Sequence, residues 1–215
     1  MTTTRVSYNC TALVGTNKVG NLKKGPDGYY EVVLGALQAY NSAGAFYPLQ
    51  EAKELFNSSS CLQRRIKNGA LNAENGHPRR APGMTEEQWF QRVNDLYEPN
   101  LCAHIRQIDL SFNTLKDSSG RELVAVMGWV KPSGAGERFL ERQMENPNEN
   151  VCFSVRSFTR DVPENGVMKK YLVRVVTYDK VNEPGIGVAN KYSVPSLESL
   201  NIPYTDGFEF DTRTI

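Results

Sequence analysis

Histidine is scarce in this 215-residue chain, which holds two, His77 and His104. Any chemistry that needs a proton acceptor near neutral pH therefore has a short list of candidates. Cysteine is scarce as well. Cys10, Cys61, Cys102 and Cys152 lie far apart with no Cys-x-x-Cys pair, and with so few histidines this excludes zinc-ligand spacing. No disulfide, metal or cofactor is expected, and the thiols read as buried side chains in a reducing compartment. No apolar run approaches the roughly 20 residues that span a bilayer, and the Thr-rich start lacks the charged and apolar blocks of a signal peptide. A membrane partner is not expected, and synthesis in the cytoplasm is. An excess of charge of one sign is also missing. The net charge is +1, without the basic footprint of a nucleic-acid binder. Pairs such as Arg64-Arg65 and Arg79-Arg80 read as solvated surface.

What remains is ordinary for a globular protein: 40% hydrophobic and 10% aromatic residues, enough for one sizeable core. No Gly/Ser/Pro-rich linker divides the chain, so residues 1–190 read as one domain. After Pro184 no period is sustained, and residues 191–215 read as a carboxyl-terminal arm or tail.

The pattern along the chain is mixed. Arg5 to Tyr8 and Tyr29 to Leu34 read as strands, and Tyr47 to Ser58 reads as a helix behind Pro48. Thr85 with Gln88 three residues on makes a capping box for a helix to about Leu96. Ile108, Leu110 and Phe112 alternate onto one strand face, with a bulge expected at Ile105. Leu123 to Val130 is apolar enough for a buried central strand. Glu137 to Glu145 reads as a helix whose apolar side is Phe139, Leu140 and Met144. Val151 to Arg156 and Tyr171 to Asp179 read as strands around a turn at Asp161 to Gly166. The class is α+β with a β-rich core.

Serine becomes a nucleophile only when a base takes its proton. His77 lies in Asn75-Gly76-His77-Pro78, where Pro78 holds the preceding residue extended, so it belongs at a strand end. Ser154 lies in the apolar strand Phe153-Ser154-Val155-Arg156. Each alone has a plainer reading, a turn histidine at the surface and a small strand residue facing its neighbour.

The order of three motifs goes further. Asn75-Gly76-His77-Pro78-Arg79, then Phe153-Ser154-Val155-Arg156-Ser157, then Thr177-Tyr178-Asp179-Lys180-Val181-Asn182-Glu183-Pro184-Gly185 resembles the prohead core proteases of large tailed bacteriophages. Their patterns run Gly-x-x-Gly-His-Pro, Ser-x-Arg and Asp-x-Val-x-x-Pro, and the likeness covers roughly Tyr29 to Lys191. The resemblance implies a herpesvirus-protease-like fold, a mixed β-barrel surrounded by helices. It implies a serine endopeptidase that cleaves scaffold and capsid precursor proteins inside the prohead, held inactive until packaged, with homo-oligomerisation as the expected activator. Position by position, His77 matches the general base, Ser154 the nucleophile and Asp179 the third member of the triad. His104 is the alternative third member, although it precedes the serine in the chain.

Arg156, two residues after Ser154 on a strand, is expected on the same face and is the candidate for oxyanion support. Cys152 shares that face as a rival nucleophile. The proteases resembled cut after glutamate, which a cationic site would read, with Arg79, Arg80, Arg156 and Lys170 as unranked candidates. Pro195-Ser196-Leu197-Glu198-Ser199 has the shape of such a cleavage site, so self-cleavage after Glu198 is expected. The reading from another class is a catalytically silent capsid or scaffold component that retains the fold.

Overall fold

The structure is a computed structural model that describes residues 21–57 and 60–194. The expected strand at Arg5 to Tyr8, Cys10 and the expected cleavage point Glu198 lie outside these residues. The strands are β1 (Tyr30–Leu37), β2 (Ala39–Tyr40), β3 (Phe46–Tyr47), β4 (Asn72–Glu74), β5 (Leu101–Lys116), β6 (Glu122–Pro132), β7 (Cys152–Glu164) and β8 (Val167–Val181). Among the described residues three α-helices accompany them, α1 (Cys61–Lys67), α2 (Glu86–Asn94) and α3 (Glu137–Glu145). Among the described residues no helix is long and apolar enough to cross a membrane.

Among the described residues two four-stranded sheets form, in the orders β1-β6-β5-β4 and β2-β3-β8-β7. The α+β class is as the sequence implied. β6 is central to the first sheet, and the apolar run Leu123 to Met127 is buried throughout, as a strand covered on both faces requires. Gly128 has a specific reason to be glycine. A Cβ there would lie 2.3 Å from Leu34 Cδ1, and Leu34 is the residue around which the β1–β6 register slips, between Val33 and Gly35.

The sheets meet where β4 ends. Asn75 bridges Lys180 in parallel, Gly76 N donates to Lys180 O at 2.7 Å, and Thr177 Oγ1 donates to Asn72 O at 2.6 Å. The result is a continuous wall in the order β1-β6-β5-β4-β8-β7. Among the described residues no ladder joins β1 to β7, and the strands do not form a closed barrel.

The capping box forms as expected, with Gln88 N donating to Thr85 Oγ1 at 3.2 Å and Thr85 N to Gln88 Oε1 at 3.0 Å. The bulge near Ile105 is present as a register shift between Ile105 and Gln107. Other expectations are corrected. Tyr47 to Ser58 is not one helix, because Tyr47 O accepts from Gln38 N at 2.8 Å and commits Tyr47 to a strand. Only a 3-10 turn, Ala52–Phe56, follows. The helix α1 was not foreseen, although Ser60 caps it through a bond from Gln63 N at 3.1 Å. Phe112 leaves the face of Ile108 and is 48% exposed, since a second register shift between Ser111 and Leu115 turns the strand.

The β7–β8 turn is shorter than expected. Asn165 and Gly166, at φ of 50° and 77°, make the two-residue turn that suits a hairpin, and Asp161 to Glu164 belong to β7. On α3 the buried side chains are Leu140, Gln143 and Met144, while Phe139 stays outside beneath the Lys180 and Arg142 cations. The first residues after the expected boundary at residue 190 are described as far as Val194. Lys191 is fully buried, and its ammonium donates to Gln143 O at 3.0 Å and Asn146 O at 2.6 Å. A cation there satisfies carbonyls that the end of α3 leaves open.

Candidate active site

Strand pairing places the first two residues. Ser154 on β7 lies directly opposite Asp179 on β8, so their side chains share one face of the sheet. The β4 extension supplies the third. Gly76, at φ 89°, takes the left-handed conformation that glycine adopts without strain. Its N–H is tied to Lys180 O. His77 is thereby hung beside Asp179, with Pro78 restricting its backbone.

Asp179 is fully buried and saturated with donors. Oδ2 accepts from His77 Nδ1 at 2.8 Å and from Arg156 Nε at 2.8 Å. Oδ1 accepts from Arg156 Nη2 at 2.8 Å and from Glu74 N at 3.1 Å. A carboxylate only accepts, so the proton of a neutral His77 sits on Nδ1 and the lone pair is left on Nε2. His77 itself is 40% exposed. It lines a cavity of about 240 Å³ together with Ser154, Gly35, Phe153, Tyr178 and Gly185. A Cβ on Gly185 would come 3.6 Å from Ser154 Oγ, and Ser42 N fixes that loop through Gly185 O at 2.8 Å. Among the described residues no hydrogen bond joins Ser154 Oγ to His77. Such bonds are commonly long in ligand-free sites and tighten when substrate binds.

Behind Asp179 lies Glu74, also fully buried. Its carboxylate accepts from Arg92 at 2.6 and 3.0 Å, from Arg156 Nη1 at 3.0 Å and from Tyr97 N at 2.9 Å. Burial pushes this carboxyl upward, but the bonds from Arg92, Tyr97 and Arg156 outweigh it and hold it below the ordinary range. Arg156 obeys the same balance with the opposite charge. Burial lowers it, and its bonds to Asp179 and Glu74 raise it further than burial lowers it.

The remaining candidates separate. Arg156 is engaged at Nε, Nη1 and Nη2 by Asp179, Glu74 and the Asp95 carbonyl. The candidate for oxyanion support is thus a clamp on the buried carboxylates. His104 is bonded to Tyr29 Oη through Nδ1 at 2.8 Å and to Gly69 O through Nε2 at 3.1 Å, and neither nitrogen touches Asp179. Cys152 is buried, and burial pushes its thiol up, away from the thiolate a nucleophile needs. Cys102 is pushed up to about 12 for the same reason. Arg80 pairs with Glu86 at 2.7 Å, and Lys170 pairs with Asp161 at 2.6 Å near the tip of the hairpin.

Arg79 stays near His77. Both line a second cavity of about 670 Å³ with Arg92, Lys180, Asn100 and Asn182. Glu74, Arg92 and Lys180 were missed in the sequence. The one available signal was an acidic residue closing the short apolar stretch Leu71-Asn72-Ala73-Glu74, just before the histidine motif.

The profile of the Peptidase S80 family matches residues 8–214. A capsid maturation protease of Pseudomonas phage phiKZ is 39% identical over 202 residues, covering 92% of this chain and 73% of the relative. No solved structure matches. The matches and the site place the chain among the proteases. It belongs to the Peptidase S80 family.

Proposed function

We propose that this protein is the serine endopeptidase of phage capsid maturation, with Ser154 as nucleophile, His77 as general base and Asp179 as the acid that orients it. The observation that carries the reading is the 2.8 Å bond from His77 Nδ1 to a buried Asp179 whose cross-strand neighbour is Ser154. Ser154 Oγ attacks the scissile carbonyl carbon while His77 Nε2 takes its proton. The imidazolium, stabilised by Asp179, returns that proton to the leaving amine, and an acyl-enzyme remains. Water, deprotonated by the same nitrogen, then releases the new carboxyl end and restores Ser154.

Scaffold and capsid precursors are the proposed substrates, cut after glutamate within the prohead by a homo-oligomer. Support for glutamate comes from the second cavity beside His77, whose ionisable side chains besides the histidine are Arg79, Arg92 and Lys180, accompanied by the amides of Asn75, Asn100 and Asn182. Among the described residues no carboxylate lines it, so an incoming glutamate meets cations and amide donors. The first cavity, lined by Leu34, Leu37, Phe153 and Ile186, suits an aliphatic side chain of the same peptide. Self-cleavage after Glu198 belongs to this reading. The proposed fold type is the herpesvirus-protease-like barrel, supported by the continuous six-strand wall.

The test incubates wild type, Ser154→Ala, His77→Ala and Asp179→Asn with scaffold protein and follows fragments by mass. Cleavage lost in all three, together with retained cleavage in Cys152→Ala, is expected. Undiminished cleavage by Ser154→Ala overturns the assignment. An uncut carboxyl terminus in an active preparation rejects self-cleavage at Glu198.

A further inference from the structure

The catalytic pair is backed by more charge than its chemistry requires. Glu74, Asp179 and Arg156 are buried together, and Arg92 closes the group with a side chain 21% exposed. Two carboxylates and two guanidiniums balance. Arg92 Nη1 and Arg156 Nη1 both donate to Glu74 Oε1 at 3.0 Å, and both donate to Asp95 O, at 3.0 and 3.2 Å. One carboxylate oxygen and one carbonyl are thus shared between an arginine of α2 and the arginine that grips Asp179.

The helix α2 makes this arrangement informative, because it buries none of its own side chains. Its connections to the body include Arg92 on Glu74 and Phe90 against Phe158 at 5.0 Å between ring centroids. A helix held without an apolar seam depends on such contacts for its place. The carboxylate on which it docks also anchors the arginine that fixes both oxygens of Asp179.

We infer that Glu74, Arg92 and Arg156 are positioning residues that fix Asp179 against His77, so that docking of α2 completes the catalytic acid. This rests on the proposed roles of Ser154 and His77. Asp179, accepting from Arg156 on both oxygens, is held in one rotamer with Oδ2 toward the imidazole. Glu74 keeps the guanidinium in that plane and balances the second positive charge of the group, that of Arg92. The charged groups around the imidazole are Asp179 from β8, Arg156 from β7, Glu74 from β4 and Arg92 from α2, with Arg79 and Lys180 on the side of the larger cavity.

The test uses the full chain and a quenched fluorescent peptide carrying a glutamate cleavage site, with thermal melting to establish that each variant is folded. Glu74→Gln leaves the group one positive charge in excess, which disfavours the imidazolium, so the acidic limb of the kcat/KM profile moves to lower pH. Arg156→Met leaves one negative charge in excess and moves the limb to higher pH. Arg92→Gln moves it the same way by less, because Arg92 reaches Asp179 only through Glu74. In Glu74→Gln and Arg156→Met, kcat falls by about tenfold or more while KM stays within about twofold, the mark of an interaction that matters in the transition state. Arg92→Gln lowers kcat too, but its KM also rises because Arg92 lines the cavity proposed for the substrate glutamate. Arg156→Lys keeps the charge but not the fork, so it restores the limb without restoring kcat.

A limb that does not move, or that moves the same way in Glu74→Gln and Arg156→Met, overturns the inference, as does a rise in KM at constant kcat in either of these two variants. Should Glu74→Gln or Arg156→Met not fold, Arg92→Gln at the edge of the group decides through its own upward shift. Full activity in Ser154→Ala would instead overturn the catalytic reading on which the inference stands.

Discussion

The hairpin of β7 and β8 carries ion pairs at both ends, and they differ in everything except distance. Toward the tip, Lys169 pairs with Glu164 at 2.6 Å, Lys170 with Asp161 at 2.6 Å and Arg160 with Glu51 at 2.7 Å, all with side chains well reached by water. At the base, Arg156 meets Asp179 at 2.8 Å and Glu74 at 3.0 Å with all three buried. The pairs at the tip are, if anything, the shorter. Distance therefore says little about what a pair contributes. Solvated charges gain little by pairing. Buried ones have lost their hydration, so each carboxylate depends on the bonds it retains.

The largest expected difference between the ends is catalytic. Asp179→Asn keeps the shape of the base but removes the charge that stabilises the imidazolium and selects the tautomer, and kcat is expected to fall about 10³ to 10⁴-fold. Peptide turnover at saturating substrate measures this. Next in size is stability. Arg156→Met strands Glu74 and Asp179 without their shared cation, and a loss of about 3 to 5 kcal/mol is expected, read as a lowered midpoint in urea at unchanged slope.

A third comparison uses acid. The bonds from Arg92, Tyr97 and Arg156 hold the Glu74 carboxyl below the ordinary glutamate range in the folded chain, so the unfolded chain takes up its proton first as pH falls. The stability it contributes is complete above about pH 4.5 and is lost as pH drops through the lower folded value. Asp161 and Glu164 at the tip are also lowered, by their lysines and by the hydroxyls of Thr159 and Tyr171. Salt separates the two ends. At about 1 M the screening length shrinks to about 3 Å, so the contribution of the tip to acid sensitivity fades while that of the base persists and disappears only in Glu74→Gln. Acid titrations of both chains in low and high salt, followed by circular dichroism, measure this.

The same contrast explains what the sequence made legible. Ser154, His77 and Asp179 could be named because three local motifs come in a fixed order, and α2 because Thr85 and Gln88 stand three residues apart. These are short-range signals. Glu74 meets Arg92 across 18 residues and Arg156 across 82, and no periodicity reports such a meeting. Arg156 shows the limit most clearly. Strand alternation suggested an arginine on the face of Ser154, but two buried carboxylates drew its guanidinium inward, and neither Asp179 nor Glu74 is its neighbour in sequence. The fold followed the same rule. The caps and the Asn165-Gly166 turn are chemistry of adjacent residues, whereas Tyr47 became strand because Gln38 lay beside it in space.

The smallest expected effect lies at the tip, and it sharpens the comparison most if it is measured as a coupling. Arg160 Nη2 reaches both oxygens of Glu51, at 2.7 and 3.0 Å, and its guanidinium also lies 4.6 Å from the centre of the Tyr171 ring. Arg160→Ala alone removes both contacts, so its stability change overstates the ion pair. In a double-mutant cycle with Glu51→Ala the Tyr171 contact is lost in both branches and cancels. What remains is the pair, expected at no more than about 1 kcal/mol and vanishing in about 1 M salt. Peptide turnover should be unaffected, since neither residue touches the site. A coupling of several kcal/mol that survives salt would mean that the outer half of the hairpin is held as tightly as its base, and burial would no longer account for the difference between them.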